Sequence, residues 1–578
     1  MSTQERNTGR IIAIAVGVLL VLCLCCVLVA GIVYLQRDRL DELVPRQVSE
    51  LLPRELAGLL GLAPQIGAAN MMPADTPLYL GMSLNLQNQA GYQNLKKIYL
   101  DNPDVQDALD ELMADFEAET SINFESDIQP WLGTEAALAL SGITDLEDIE
   151  SADIMLAIST RDLAASEAFL QKLRDQEAED GRPFEQGDYQ GVSYWFYEPE
   201  SEFYTPAYTT IFNDFVIWAT SKESMFNAID RVESGGQSLA DDSNFQAAIE
   251  TLPNNGAFFA FFDWTALADV MLQETPVELE PEQMSQLRAF QSVGMALTLQ
   301  PNGLQIDTAI QFDPEMLTGA AQAALNRPPT ANQILNRIPA NAIGFFNSYD
   351  LHSTWQQTRE GLAANPDFEQ QLVDVENEIG LNLDEDIFGW MTGEFTLVVT
   401  EAEPSDEFAP PLGGYLLIGT QDVNLAQDKI AKLVDLLNQE MFVEFESRTI
   451  GDHEMQVIAD PFTESIMGGY GFWDDYFVAG YLEDALSAAF GAPTNPVTNS
   501  PHFIAVSDRL PDPNYGYFYI DADAVQRLVE AEMSEFDREE YESNVRPFVE
   551  PLRAFGLASG SPQDGIQTVT MFLLITEE

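Results

Sequence analysis

The property that constrains this chain most is that it repeats itself. The run Asp127–Glu135, DIQPWLGTE, returns as Asp386–Glu394, DIFGWMTGE, so that Asp127, Ile128, Trp131 and Glu135 each meet an identical residue 259 positions later. Pro73-Ala74-Asp75, which opens the strand-like run LYLGMSLNL, is answered by Pro339-Ala340-Asn341 before IGFFNSYDL. Asn102-Pro103-Asp104 is answered by Asn365-Pro366-Asp367, Thr160 and Asp162 by Thr420 and Asp422, Asn213-Asp214 by Asp474-Asp475, and Asp263 by Asp521, all at offsets between 258 and 266. Chance does not hold an offset over such a length; a fixed long period marks a repeated structural unit. Two tandem modules are therefore expected, 72–315 and 338–578, joined by a linker at 316–337 that contains Arg327-Pro328-Pro329.

Within one copy the hydrophobic periodicity predicts an opening strand, a helical acid-rich stretch over Leu95–Glu119, and strands at Ala136–Leu140 and Ile154–Ile158. A helix over Ala164–Leu173 follows, capped by Thr160 or Asp162. Aromatic strands come next, Val192–Tyr197 and Tyr208–Phe212, with Asn213-Asp214 as a two-residue hairpin turn into Phe215–Ala219. A helix near Glu223–Val232, a strand at Ala257–Phe262 and a closing hairpin of Met295–Leu299 with Leu304–Ile310 complete the module. Short turns between neighbouring strands imply antiparallel pairing, so the expected class is α+β, each module a mainly antiparallel sheet with helices packed on one face.

A second constraint sits at the start. After a short tail, 1–10, residues Ile11 to Leu35 contain no charged side chain, and 25 helical residues at ~1.5 Å each suffice to cross a bilayer. Ala30-Gly31 is followed by Ile32-Val33-Tyr34-Leu35, which extends the apolar run past any cleavage site and favours an uncleaved transmembrane helix over a signal peptide. Residues 36–71 read as a juxtamembrane stalk. Arg6 and Arg10 stand before the helix against Arg37, Arg39, Arg46 and Arg54 after it. That count alone favours a cytoplasmic C-terminus, but long domains translocate largely regardless of nearby charge. The expectation is a single-pass protein of the cell membrane, N-terminus cytoplasmic and C-terminal ectodomain outside.

Charge and cysteine content then exclude whole classes of function. The chain carries 94 Asp and Glu against 26 Lys and Arg, a formal charge of −68. Such a surface repels phosphate backbones, so nucleic acid is not a partner. With 46% apolar residues the acidity belongs to a folded protein and not to a disordered tail. The three cysteines, Cys23, Cys25 and Cys26, all lie in the apolar run, which leaves the remainder without disulfides, thiolate metal sites or thiol nucleophiles.

PADTPLYLGMSLN near the start, DIQPWLG some fifty residues later, and a long two-part ectodomain behind one N-terminal anchor resemble the bacterial domain of unknown function 3352 family. The resemblance implies a membrane-attached envelope protein and brings no activity, cofactor or catalytic residue to carry over. The second copy departs from the pattern where Asn341 replaces the opening Asp and Gly389 replaces the Pro before Trp.

Residues that could carry chemistry are few. His352, His453 and His502 have no duplicated counterparts, and no G-x-S-x-G elbow accompanies them. Met467-Gly468-Gly469-Tyr470-Gly471 lacks the Lys-Ser or Lys-Thr of a phosphate cradle and reads as a loop before a hairpin strand. The duplicated trios Asn123-x-Glu125-x-Asp127 and Asn382-x-Asp384-x-Asp386 begin like a calcium loop, but Ile128 and Ile387 occupy the glycine position and Glu135 and Glu394 come one place late. Calcium is thus a weak reading. The better one has Asp127 and Asp386 capping a turn, Ile128 and Ile387 entering the core, and Trp131 and Trp390 anchoring the next strand. The aromatics of Tyr194–Tyr197 and Tyr470–Phe477 either stack on glycan or, as the stronger reading, pair across a sheet. No catalytic, cofactor-binding or metal-binding residue is assigned and no cofactor is expected. The expected function is a non-enzymatic binding or structural module contacting an envelope protein or glycan; the alternative is a carboxylate-based extracytoplasmic hydrolase of envelope glycan.

Overall fold

The computed structural model describes residues 67–577 apart from short internal stretches, among them 144–151, 200–205, 275–283 and 403–410. The expected tail 1–10, membrane helix 11–35 and stalk residues 36–66 lie outside the described residues. Among the described residues no helix is long and apolar enough to cross a membrane. The chain divides into two compact units, with the main boundary between Phe312 and Asp313.

The first unit is built on ten strands: β1 Leu78–Ser83, β2 Leu132–Ser141, β3 Asp153–Thr160, β4 Glu185–Tyr189, β5 Val192–Tyr197, β6 Ala207–Phe212, β7 Phe215–Ala219, β8 Phe258–Asp263, β9 Phe290–Gln300 and β10 Gly303–Phe312. They pair antiparallel throughout, in the order β10-β9-β8-β1-β2-β3-β7-β6-β5-β4. At the centre Leu80 faces Leu138 on one side and Ala260 on the other. The turn between β6 and β7 is Asn213-Asp214, both at positive φ of 52° and 62°, the backbone that a two-residue hairpin of this hand requires.

The second unit repeats the arrangement with β11 Gly344–Tyr349, β12 Glu394–Glu401, β13 Leu412–Gly419, β14 Glu446–Ile450, β15 His453–Ala459, β16 Ile466–Trp473, β17 Tyr476–Tyr481, β18 Asn514–Asp521, β19 Leu552–Gly560 and β20 Ile566–Ile575. Its order, β20-β19-β18-β11-β12-β13-β17-β16-β15-β14, is that of the first unit strand for strand. Helices recur at matching places. In the first unit they are α1 Leu163–Glu179, α2 Lys222–Ser234, α3 Ser243–Thr251 and α4 Trp264–Glu274; in the second, α5 Val423–Met441, α6 Glu483–Phe490, α7 Pro501–Ser507 and α8 Ala522–Glu532. Asp162 caps α1 through the amides of Ala164 and Ala165, and Asp422 does the same for α5 through Leu425, which decides between the two caps the sequence offered.

Helices cover both faces of the sheet and not one. Along β13, Tyr415 and Leu417 join a core with Leu486 of α6 and Phe503 of α7, while Ile418 packs with Ala426 and Ile430 of α5. In β7 all five residues, FVIWA, are buried; a strand covered on both faces reads as a continuous apolar run, which conceals the second layer from a period-2 reading. Strands β4 and β14 escape that reading for the opposite reason, since EQGDY and ESRTI are mostly solvent-facing and polar.

The cores also reach further upstream than composition indicates. Ala68, Ala69, Met71 and Met72 at the end of the expected stalk are fully buried, and so are Ile334 and Ile338 at the end of the expected linker. The Gly- and Ala-rich composition that suggests a connector serves equally well where small residues let backbone pack closely. The glycine-rich run 467–471 lies inside β16 and is not a loop before it. A Cβ at Gly469 would stand 2.7 Å from the Gln456 carbonyl of the neighbouring strand, so glycine there permits the close approach of backbone.

Candidate functional site

The duplicated motif folds as a short, wide helical turn in each unit, Phe124–Ile128 and Leu383–Phe388. Asn123 and Asn382 are the caps, their side-chain oxygens accepting the amides of Ser126 and Glu385. Asp127 and Asp386 reach back instead, accepting the backbone N–H of Asn123 at 2.8 Å and Asn382 at 3.0 Å. This reciprocal arrangement satisfies orphan donors from both ends, as a capping box does. Asp127 also accepts Lys172 Nζ at 2.6 Å, and Asp386 accepts Lys429 Nζ at 2.6 Å and Lys432 Nζ at 3.1 Å. Three of the six lysines of the whole chain are spent on these two carboxylates.

The ion pairs set the acidities. The hydrogen bond from Lys429 holds the Asp386 carboxyl down at about 2, against the opposing effect of partial burial. Burial alone would raise Asp127; the Lys172 and Asn123 bonds outweigh it and leave the carboxyl below its ordinary value. An ammonium group thus occupies the place beside Asp127 and beside Asp386 that a calcium reading gives to the metal, and Asp384 is engaged by Trp355 Nε1 and Arg359. Among the described residues no group of three or more His, Cys, Asp or Glu side chains is arranged to hold a metal ion. Trp131 is 1% exposed, donates Nε1–H to the Asp127 carbonyl at 2.8 Å and packs 5.3 Å from the Phe169 ring. Trp390 is likewise buried against Phe477. Ile128 enters the core as expected, whereas Ile387 is half-buried.

The last residue of the motif has a role that sequence reasoning missed. Glu135 is 3% exposed and accepts the backbone N–H groups of Gly67 and Ala68 at 3.2 and 2.9 Å. Glu394 accepts those of Gln333 and Ile334 at 3.1 and 2.8 Å and the Thr330 hydroxyl at 2.8 Å. Each carboxylate therefore tethers the segment by which the chain enters its unit, at the start of a short 3₁₀ turn. Burial pushes Glu135 up to about 7 despite the two amides. The only signal in the sequence was the duplication of the glutamate itself.

The other candidates separate. His502 Nδ1 lies 3.0 Å from Asp521 Oδ2, a contact that raises the imidazole above its ordinary pKa. His453 sits between the rings of Trp473 and Phe490, and His352 touches Gln356. The aromatic strands bury their rings: Tyr194 is 6% exposed and meets Phe226 edge-on, and Phe196 stacks on Tyr208 across β5 and β6.

One concavity stands out by chemistry. In the first unit a cavity of about 360 Å³ opens between α1 and the sheet, with Leu170, Phe184 and Trp218 among its apolar walls and Arg174 and Thr209 among its polar ones. Arg174 is 5% exposed. Its Nη2 donates to Glu167 Oε1 at 2.5 Å and Gln171 Oε1 at 3.0 Å, and its Cζ lies 4.3 Å from the Trp195 ring centroid. Nε and Nη1 have no hydrogen-bond partner, nor has the buried Thr209 hydroxyl.

Residues 53–575 match the model of a family described as a protein of unknown function, DUF3352. The chain belongs to this family. No curated protein matches the sequence. Among solved structures, this DUF3352 chain is similar to crystal form I of TP0453, 13% identical, covering 42% of this chain and 77% of that one at a TM-score of 0.21. Crystal form III of TP0453 is 12% identical and covers 45% and 85%, at a TM-score of 0.22.

Proposed function

We infer that this DUF3352 member is a single-pass, membrane-anchored extracytoplasmic protein whose two units are copies of one module, acting as a non-enzymatic binding or structural part of the cell envelope. The observation that carries this reading is what the repeated carboxylates do. Asp127, Asp386, Glu135 and Glu394 are each taken up by backbone amides, and the two aspartates by lysines as well, so their retention in both copies serves folding. Burial also raises Asp263, but its oxygens hold Thr265 and Ala266 at the start of α4, and neither it nor Glu135 lines the cavity described above. A glycosidase needs two acids flanking a substrate cleft. The identical strand order of the units supports duplication, and the uncharged run 11–35 supports the anchor.

The test has two arms. Protease added to intact spheroplasts is expected to digest residues 36–578 while sparing the anchor, and full protection of the chain would overturn the outside location. Labelled full-length protein, incubated with wall polysaccharide and with envelope protein over a range of salt, is expected to bind one of them saturably. Saturable binding to neither removes the binding reading.

A further inference from the structure

We propose that the cavity beneath α1 of the first unit binds a small monocarboxylate with an apolar stem, held through the guanidinium of Arg174. The inference deepens the binding reading above and rests on it. A guanidinium keeps its charge at every ordinary pH, carries five N–H donors and has no acceptor. Buried, it costs stability unless acceptors surround it. Glu167 and Gln171 both address the same nitrogen, Nη2, which leaves Nε and Nη1 unanswered. The Thr209 hydroxyl, orphaned at the same cavity, adds a further buried polar atom. Unsatisfied buried groups gathered around one hollow are a ligand's complement more than a folding device.

The second unit shows that the fold does not require them. Aligned from their aspartate caps, α1 and α5 place Val434 where α1 has Arg174. Aligned from the hairpin turns, β16 and β17 place the facing pair Tyr470 and Ala479 where β6 and β7 have Thr209 and Trp218. Phe445, directly before β14 as Phe184 is before β4, meets Tyr470 edge-on with centroids 5.3 Å apart. Phe184 and Thr209 line the hollow in the first unit; their counterparts touch ring to ring. The same scaffold is thus finished with apolar contacts in one copy and with a buried cation beside a cavity in the other.

The walls narrow the ligand. Two planar carboxylate oxygens match guanidinium geometry, and Leu170, Leu173 and Trp218 offer an apolar surface for a stem. Glu177, Glu179 and Asp180 at the same cavity repel multiply charged anions, which selects a carboxylate over phosphate. A volume of about 360 Å³ suits a molecule of small-drug size.

The test titrates full-length protein in detergent micelles with butyrate, benzoate, their primary amides and inorganic phosphate, read by ligand-observed NMR. Saturable binding of a carboxylate is expected, with its amide and phosphate weaker by about tenfold or more, as befits a charge-assisted pair. R174Q is expected to abolish binding, and so is T209Y, which introduces the ring that closes the second unit. The variants in the same micelles also correct for partition into detergent. No saturable binding of either carboxylate, equal binding of the amides or of phosphate, or binding that survives R174Q would each overturn the proposal. The acid-against-amide comparison needs no variant, so a substitution that fails to fold leaves it decisive. Because the titration depends on neither topology nor envelope extract, its failure is distinguishable from that of the functional reading.

Discussion

Asp386 and Glu135 are two carboxylates of one duplicated motif pushed in opposite directions, and pH separates their contributions. Lys429 and Lys432 hold Asp386 at about 2, below its ordinary 3.8. Its contribution to stability is therefore present above about pH 4 and is lost as pH falls through about 2. D386N should lower unfolding stability by ~1–3 kcal/mol at neutral pH, as expected for losing a partly buried charge-assisted bond. That loss should fade in acid, and chemical denaturation at pH 7 and pH 2 would measure both. Glu135 lies at about 7, above its ordinary 4.5. Its folded form takes up a proton more readily than the unfolded chain, so its contribution is fully present below about 4.5 and disappears as pH rises through about 7. Melting temperatures of wild type and E135Q should consequently draw apart in the direction that favours the variant as pH goes from 4.5 to 7; a difference independent of pH would refute the role of the carboxyl. From sequence the aspartates were legible as turn-forming residues, because Asn and Asp at that spacing before an apolar residue have few other uses. The lysines that neutralise them were not, since Lys172 stands 45 residues from Asp127 and only the packing of α1 brings it there.

At the scale of elements, the wide turn and its tryptophan form the smallest unit that both copies keep. Trp131 is buried against Phe169 of α1 and tied by its indole N–H to Asp127, so W131A should cost ~3–5 kcal/mol, the range for deleting a large aromatic from a core. W131F keeps most of the buried area and should recover much of it; equilibrium unfolding in urea compares the two. Element identity was legible wherever one face alternates or a turn is marked, as at Asn213-Asp214 and at the Asp162 cap. It was hidden in β4 and β14, which are solvated edge strands without an apolar stripe, and in β16, where glycines that permit close strand approach resemble a loop. The cavity was hidden for a further reason. Arg174, Thr209 and Trp218 come from one helix and two strands, and nothing in their spacing announces that they converge.

Across the whole molecule the net charge of −68 is a solvation property laid over two cores. Dense like charge repels itself in the compact state, and salt shortens the range of that repulsion from ~10 Å at 0.1 M to ~3 Å at 1 M. Melting temperature should accordingly rise between low and molar sodium chloride, and a flat or falling trend would show that the acidic surface does not strain the fold. The sequence by itself determined that there are two similar halves, that their class is mixed α and β, and that nucleic acid and cysteine chemistry are excluded, because period, alternation and composition are properties of the chain read in order. Only the tertiary structure decided that helices cover both faces, that Glu135 and Glu394 hold the entering segments, and that one copy keeps a buried guanidinium beside a hollow where the other closes it. Burial and unsatisfied hydrogen bonds exist only between residues brought together by folding, and no local pattern encodes them.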